Sequence, residues 1–318
     1  MKTSTWIIVA LAASLAACGG GDNAAATGKI SIAVTDGPVD NADAVVVTFT
    51  EVQLLGGDDS VRQSFEFDSP QQLDLLSLQG TLSTPLVDGE SIPVGTYDQV
   101  RLIVDAPNTS CQNPSPPFAS YITIDGTDFP LAVPSGGESG LKVNGPLTVA
   151  AGGTAAYTID FDLRKSVAQR GSTDCYNLRP VLRVVDNAEV GSLQGTVDGD
   201  LLADASCSSA DTATGEGVAV YLYSGADVTP VDIDGTDPEP LTTANVVPKD
   251  DQSGDFSYEV GFLLAGDYTA ALTCQAALDD PEVADEELVF AQSANVVIDP
   301  ADTPTVQDFV VADPPAQQ

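Results

Sequence analysis

Short runs of β-branched and aromatic residues, each stopped by glycine, proline or aspartate, constrain this chain more than any other feature. Residues 30–34, 44–55, 62–67, 97–104, 121–124, 129–133, 147–150, 157–163 and 178–185 all have this form. The segment Tyr97-Asp98-Gln99-Val100-Arg101-Leu102-Ile103-Val104 alternates with a period of two. Such side chains suit a pleated, half-buried surface, and the residues between them favour turns. Many short runs with that punctuation predict an antiparallel sandwich or barrel. The departure is Leu73-Asp74-Leu75-Leu76-Ser77-Leu78, which predicts one helical turn.

A polar joint, Asp186-Asn187-Ala188-Glu189, separates this pattern from a second one. Strands are expected at residues 193–197, 217–223, 254–258, 264–269, 296–298 and 306–311, with residues 229–251 as an Asp/Pro-rich loop. A chain of 318 residues accommodates two domains, each long enough to bury a core. The expected fold is all-β, with two antiparallel β-sandwich domains in tandem. They cover residues 29–186 and 187–312, and residues 313–318 form a disordered tail.

The N-terminus addresses location. Lys2 precedes an apolar run over residues 6–15, then Leu15-Ala16-Ala17-Cys18 and Gly19-Gly20-Gly21. A charged start, a short apolar run and small residues make residues 1–17 a secretory signal. With cysteine next, the segment resembles a bacterial lipobox. The resemblance implies that Cys18 is lipidated and anchors the chain to a bilayer, with residues 18–28 as a flexible tether. Gly19 after that cysteine, rather than aspartate, implies the outer membrane under the usual Gram-negative sorting rule, facing either the periplasm or the surface. No later segment reaches 18 consecutive apolar residues.

Setting Cys18 aside leaves Cys111, Cys175, Cys207 and Cys274, an even number for an exported chain. Three pairings are possible. The sequential one, Cys111–Cys175 with Cys207–Cys274, gives each half one bridge. Without a C-x-x-C pair, neither zinc binding nor redox catalysis is supported.

Formal net charge is −36. Residues 187–318 carry 26 acids and a single base, Lys249. That balance argues against nucleic acid and anionic headgroups as partners and reads first as adaptation to a saline medium. There is no histidine, which removes the usual neutral-pH base and the commonest transition-metal ligand. Any metal site must be oxygen-only, hence Ca²⁺ or Mg²⁺. Trp6 and Met1, the sole tryptophan and methionine, lie in the signal.

Candidate sites are few. Asp232, Asp234 and Asp237, with Glu239 and Gly235, form an acidic loop with a possible Ca²⁺ role, although it fails the EF-hand spacing. Tyr221 and Tyr223 share one side of a strand and are candidate ligand contacts; Tyr258 and Tyr268 extend that set. Asp160 and Asp162 are a paired-carboxylate motif, read as an ion network with Arg164 and Lys165 and, as further partners, Lys142 and Arg179. Ser166 and Ser135 lack the neighbours a nucleophile needs. The chain is therefore expected to be no enzyme and to need no cofactor other than, at most, Ca²⁺.

The motifs Thr35-Asp36-Gly37-Pro38, Ile92-Pro93-Val94-Gly95-Thr96-Tyr97, Val133-Pro134-Ser135-Gly136, Asp160-Phe161-Asp162-Leu163-Arg164-Lys165-Ser166 and Leu178-Arg179-Pro180 resemble a prokaryotic family of exported lipoproteins with a domain of unknown function. The resemblance spans about residues 28–186 and implies no activity. In the second half, Gly195-Thr196-Val197, Gly254-Asp255-Phe256 and Gly266-Asp267-Tyr268 resemble a carboxypeptidase-regulatory or Cna-B-type module. This implies a transthyretin-like sandwich with a carbohydrate-binding-like fold. The expected function is a binding or presentation module of the cell envelope, acting on an envelope protein. The alternatives are a carbohydrate-binding lipoprotein with a polysaccharide partner and a calcium-stabilised adhesion element.

Overall fold

The structure, a computed structural model, describes residues 25–39, 42–106, 116–134, 139–171, 173–203, 207–208, 210–283, 288–301 and 303–311. The signal, Cys18, Cys111, Ser135 and the tail over residues 313–318 lie outside these residues.

Among the described residues the first half has the strands β1 (Thr27–Gly37), β2 (Ala44–Leu55), β3 (Val61–Asp74), β4 (Thr84–Pro93), β5 (Gly95–Val104), β6 (Tyr121–Ile124), β7 (Thr127–Ala132), β8 (Leu141–Val149), β9 (Thr154–Asp162), β10 (Val167–Gln169), β11 (Tyr176–Leu178) and β12 (Leu182–Asp186). One sheet runs β12-β9-β1-β4 and the other β10-β11-β7-β6-β2-β5-β8, with β3 added to β2. Their inner faces enclose Ile30, Ile32, Val34, Phe49, Leu102 and Phe161. The rings of Phe49 and Phe161 meet edge to face at 6.2 Å.

In β2, Val45, Val47 and Phe49 are buried, then Val52 and Leu54. A shift of one residue in parity would turn the second half of the strand to solvent. The pairing register slips between Phe49 and Glu51 against both neighbours, so a bulge resets the parity and keeps both halves on the core.

Among the described residues the second half has the strands β13 (Val190–Val197), β14 (Ala219–Ser224), β15 (Thr242–Asn245), β16 (Val247–Pro248), β17 (Phe256–Leu264), β18 (Gly266–Thr273), β19 (Phe290–Ile298) and β20 (Thr305–Val306). The sheets are β16-β17-β13-β20 and β15-β14-β18-β19. Both faces of β14 are covered. Val220 and Leu222 enter the main core with Leu193 and Phe309, while Tyr221 and Tyr223 enter a smaller one with Ile233 and Ala271.

The two halves share one turn device. Gly95 and Gly266, at φ 153° and 156°, each precede a tyrosine by two residues. Tyr97 donates its hydroxyl to the Pro93 carbonyl at 2.8 Å and Tyr268 to the Leu264 carbonyl at 2.7 Å. Each ring thereby fixes the corner that leads into its own strand, as tyrosine corners do in other sandwiches.

The all-β sandwich expectation holds, with local corrections. Pairing is parallel at β1–β9, β7–β11 and β13–β20 rather than uniformly antiparallel. Residues 229–251 are not wholly loop: Thr242-Thr243-Ala244-Asn245 pairs with β14. β4 escaped the pattern because Pro85, Asp88, Gly89 and Pro93 mimic turn punctuation. The helical turn is a 3-10 turn at Leu75–Leu78, begun by the Asp74 carboxylate accepting from the Leu76 amide.

Cys175 is disulfide-bonded. Cys207 and Cys274 are bonded to each other across a sequence separation of 67. Closing a loop of that length stabilises by about 4 kcal/mol in the chain-entropy picture. Replacing both Cys207 and Cys274 by alanine is expected to lower the unfolding free energy by about that amount in urea titration. An unchanged midpoint refutes this.

Candidate functional site

The junction between the two halves is built on β9, where every residue from Tyr157 to Asp162 is buried. Tyr157, Ile159 and Phe161 face the first core. Thr158, Asp160 and Asp162 take the other face by strand alternation. An outer strand face in an antiparallel sandwich ordinarily meets water; here the second half covers part of it.

Burying Asp160 and Asp162 requires partners. Arg183 on β12 donates through Nε to Asp160 Oδ2 at 2.7 Å, and its Nη2 pairs with the same oxygen at 2.6 Å. Its Nη1 donates to the Phe262 carbonyl in the second half at 3.1 Å. Asp162 caps a single helical turn, α1 (Leu163–Ser166), by accepting from the Lys165 amide at 3.2 Å. It also pairs with the Lys165 ammonium at 3.2 Å. Lys165 reaches across to Glu239 at 3.5 Å and donates to the Pro240 carbonyl.

Arg164 is 3% exposed and enters the second half. It donates through Nε to Thr243 Oγ1 at 3.0 Å, through Nη1 to the Ala276 carbonyl at 3.2 Å and through Nη2 to Asn245 Oδ1 at 3.4 Å. Its guanidinium lies 5.7 Å from the Tyr221 ring centroid, within cation–π range. The expected ion network grouped Arg164 with Asp160 and Asp162; the structure gives it to the second half instead, because the turn of α1 points successive side chains in different directions. Arg179 pairs with Glu282 at 3.0 Å, not with the paired carboxylates. Thr81 adds a further tie by donating to Glu259 at 3.0 Å.

Tyr221 and Tyr223, proposed as ligand contacts, are 0% and 1% exposed. Tyr221 donates to Asp279 Oδ2 at 2.5 Å and Tyr223 to the Val231 carbonyl. Burial drives both phenols far above their ordinary pKa. They are core side chains and offer no ring to a sugar. Tyr258 and Tyr268 are buried likewise, with hydroxyls on the Gln307 and Leu264 carbonyls.

The residues of the expected calcium loop are placed as follows. Asp232 is buried, Asp234 accepts from the Thr236 amide and hydroxyl, and Glu239 turns to the Gly235 amide and to Lys165. Among the described residues no three acidic or cysteine side chains converge on a metal position. Asp234 serves its own turn and Glu239 an ion pair, so the loop gathers no cage.

Two of the cavities at the junction lie against the Asp160–Lys165 cluster. One of about 470 Å³ is lined by Gly37, Gln79, Asp160, Thr242, Tyr258 and Phe262. The other, about 690 Å³, lies against Asp162, Lys165, Arg183, Tyr223, Pro238 and Leu241. Phe262 has φ 53°, a strained conformation for an aromatic residue, and its carbonyl is the one that Arg183 holds.

Sequence reasoning missed Asp36 and Asp279. Asp36 is 4% exposed and neither oxygen has a hydrogen-bond partner in good geometry among the described residues. Burial first, then the charges of Asp160 and Asp162, push its carboxyl well above the ordinary range; the Leu163 amide acts in the opposite direction. Burial pushes Asp279 up to about 6, against the bonds from Tyr221 and the Ile233 amide. The Thr-Asp-Gly-Pro context of Asp36 reads as a surface turn, and nothing local marks it as buried.

Both groups bind a proton more tightly folded than unfolded. Their stabilisation is therefore complete below about pH 4 and is lost as pH rises through the folded-state values. The melting temperature is expected to fall from about pH 4 to about pH 7, and Asp279→Asn to flatten the part of that fall near pH 6. A wild-type melt that rises over this window overturns the reading. For the ion pair, Arg183→Leu is expected to cost about 3–5 kcal/mol by stranding Asp160, and the Arg183→Leu/Asp160→Leu double variant much less. Equal losses in single and double variants contradict it.

No curated protein sequence matches the chain. Among solved structures, a leucine-rich repeat protein from Bacteroides thetaiotaomicron is 12% identical with a TM-score of 0.21, covering 90% of this chain and 27% of its own. The minor pilin of Streptococcus agalactiae is 11% identical with a TM-score of 0.18, covering 91% of this chain and 99% of its own. The fimbrial anchor protein of Porphyromonas gingivalis is 10% identical with a TM-score of 0.17, covering 79% of each. The chain spans about a quarter of the length of the leucine-rich repeat protein. Residues 27–180, which hold β1 to β11 and the whole Asp160–Lys165 cluster, match the family described as "Domain of unknown function (DUF4382)".

Proposed function

We propose that the chain is a non-catalytic envelope lipoprotein that presents two tandem sandwiches as one stiff unit. Acyl chains on Cys18 hold it at the outer membrane, and residues 18–28 are the tether. Residues 29–186 form the first sandwich and residues 187–312 the second, of the transthyretin-like, Cna-B type. Several acyl chains anchor far more firmly than one, at about 0.8 kcal/mol per buried CH₂.

The observation that carries this reading is the set of three cations crossing the junction. Arg164, Lys165 and Arg183 all come from the first half and all bond to the second. Swinging the halves apart would strand each of them, so bending at this joint is costly. A stiff unit on a flexible tether suits presentation at a distance from the bilayer. The paired carboxylates support the same reading, since each is held by its own cation and neither is free for proton transfer.

Fractionation of cells producing the wild type and Cys18→Ala tests the anchor. The wild type is expected in the membrane fraction, labelled by radioactive palmitate. Cys18→Ala is expected unlabelled, in the soluble fraction, with an unchanged melting temperature. Membrane retention of unlabelled Cys18→Ala overturns the proposal.

A further inference from the structure

The edges of the four sheets differ in how they are protected. A sheet edge presents unpaired amides and carbonyls, and natural proteins shield it with charge, proline or brevity. β4 carries Pro85, Asp88, Glu90 and Pro93, and β3 carries Arg62, Glu66, Asp68 and Pro70. β8 has Lys142 and Pro146, and β12 has Arg183 and Asp186. β10 is three residues long, and β16 and β20 are two each. β15 is four residues long and mostly buried.

β19 has neither charge, proline nor brevity in its own sequence. It is nine residues, Phe-Ala-Gln-Ser-Ala-Asn-Val-Val-Ile, without a charge or a proline. This stands out in a half that holds 26 of the 47 acids. β19 ends its sheet and pairs with β18 alone. The Gln292 side chain donates to the Val310 carbonyl at 2.7 Å, and Thr305 donates to the Val297 carbonyl at 3.1 Å. Residues 305–310, which include β20, pass beside β19 and occupy the Val297 carbonyl, but among the described residues no further strand is paired to it, so the main-chain groups of Ser293 and Asn295 are left without a ladder on that side. Ala291, Ser293, Asn295 and Val297 are exposed.

We propose that the open edge of β19 is a docking site for an extended, lysine- or arginine-bearing segment of a partner protein, which adds to the sheet as a further strand. Main-chain hydrogen bonds supply the attachment and the surroundings supply the selection. Exposed Asp227, held by Asn295 at 2.8 Å, exposed Asp267, paired opposite Val297, and exposed Asp299 rim the strand. The sole basic residue of this half is Lys249, bound to Asp251 at 3.5 Å, so the half offers little to repel a cation. A second copy of the chain would bring −36 against −36, which disfavours pairing of β19 with itself. The site is independent of the anchor at Cys18, so either proposal can fail alone.

Hydrogen exchange on the purified full chain with synthetic extended peptides tests this. An amidated alternating Lys-Val peptide is expected to slow exchange of β19 amides, and to bind about tenfold more weakly to the Asp227→Asn/Asp299→Asn variant. An alternating Glu-Val peptide is expected to give no protection. The Lys-Val peptide N-methylated at alternate residues is also expected to give none, because it has lost its ladder donors. Protection absent from β19, equal protection by the N-methylated peptide, or a concentration-dependent dimer closed through β19 without peptide overturns the proposal.

Discussion

Arg164 is the interaction on which the arrangement of the two halves depends. A buried guanidinium has five donors to satisfy and a large desolvation cost to offset. It meets that demand in the second half, through Thr243, Asn245, the Ala276 carbonyl and the face of Tyr221. None of these contacts survives separation of the halves. Tyr221 in turn is held by Asp279, which also accepts from the Ile233 amide, so the cation also fixes the smaller core behind β14. The turn that delivers Arg164 is only four residues long and is begun by Asp162. One carboxylate therefore both starts the turn and pairs with the side chain that follows Arg164.

Charge explains why the cations come from one side. The second half has one base among 26 acids and cannot neutralise its own buried polar surface. The first half contributes Arg164, Lys165 and Arg183 from a short stretch of chain, and each reaches over the boundary. The junction is thus a transfer of positive charge from the less acidic partner to the more acidic one. Exposed ion pairs such as Arg179 with Glu282 add little at this boundary, since solvent screens them.

How much of this was legible in the sequence follows from range. Alternation over residues 97–104 and 157–163 is local, and it placed β5 and β9 well. The Gly95-Thr96-Tyr97 and Gly266-Asp267-Tyr268 motifs stood out in the sequence, and each proves local, since each tyrosine hydroxyl bonds a carbonyl close by in the chain. β4 and β15 were hidden because proline, glycine and aspartate sit inside or beside them, and only pairing with distant strands makes them extended. Tyr221 and Tyr223 looked like an exposed face because alternation reveals two faces but not whether the second is covered. Coverage came from Ile233 and Phe290, well along the chain. The hydrogen-bond partners of Arg164 described above lie 79 to 112 residues from it, beyond any spacing rule.

The paired carboxylates show why a motif and a site are different things. Asp160 and Asp162 have the spacing of an acid–base pair, and burial raises both, which is also how catalytic carboxyls are tuned. What decides between the readings is what each oxygen faces. Arg183 holds Asp160 with a hydrogen bond and an ion contact, and Lys165 holds Asp162 with its ammonium and its amide. Each carboxylate is therefore buried against its own cation, and that cation is itself committed to a carbonyl of the other half. Moving a proton to either would break a junction contact. The pair acts as the fixed base of a clamp, and the uncompensated acid of the cluster, Asp36, is buried from solvent.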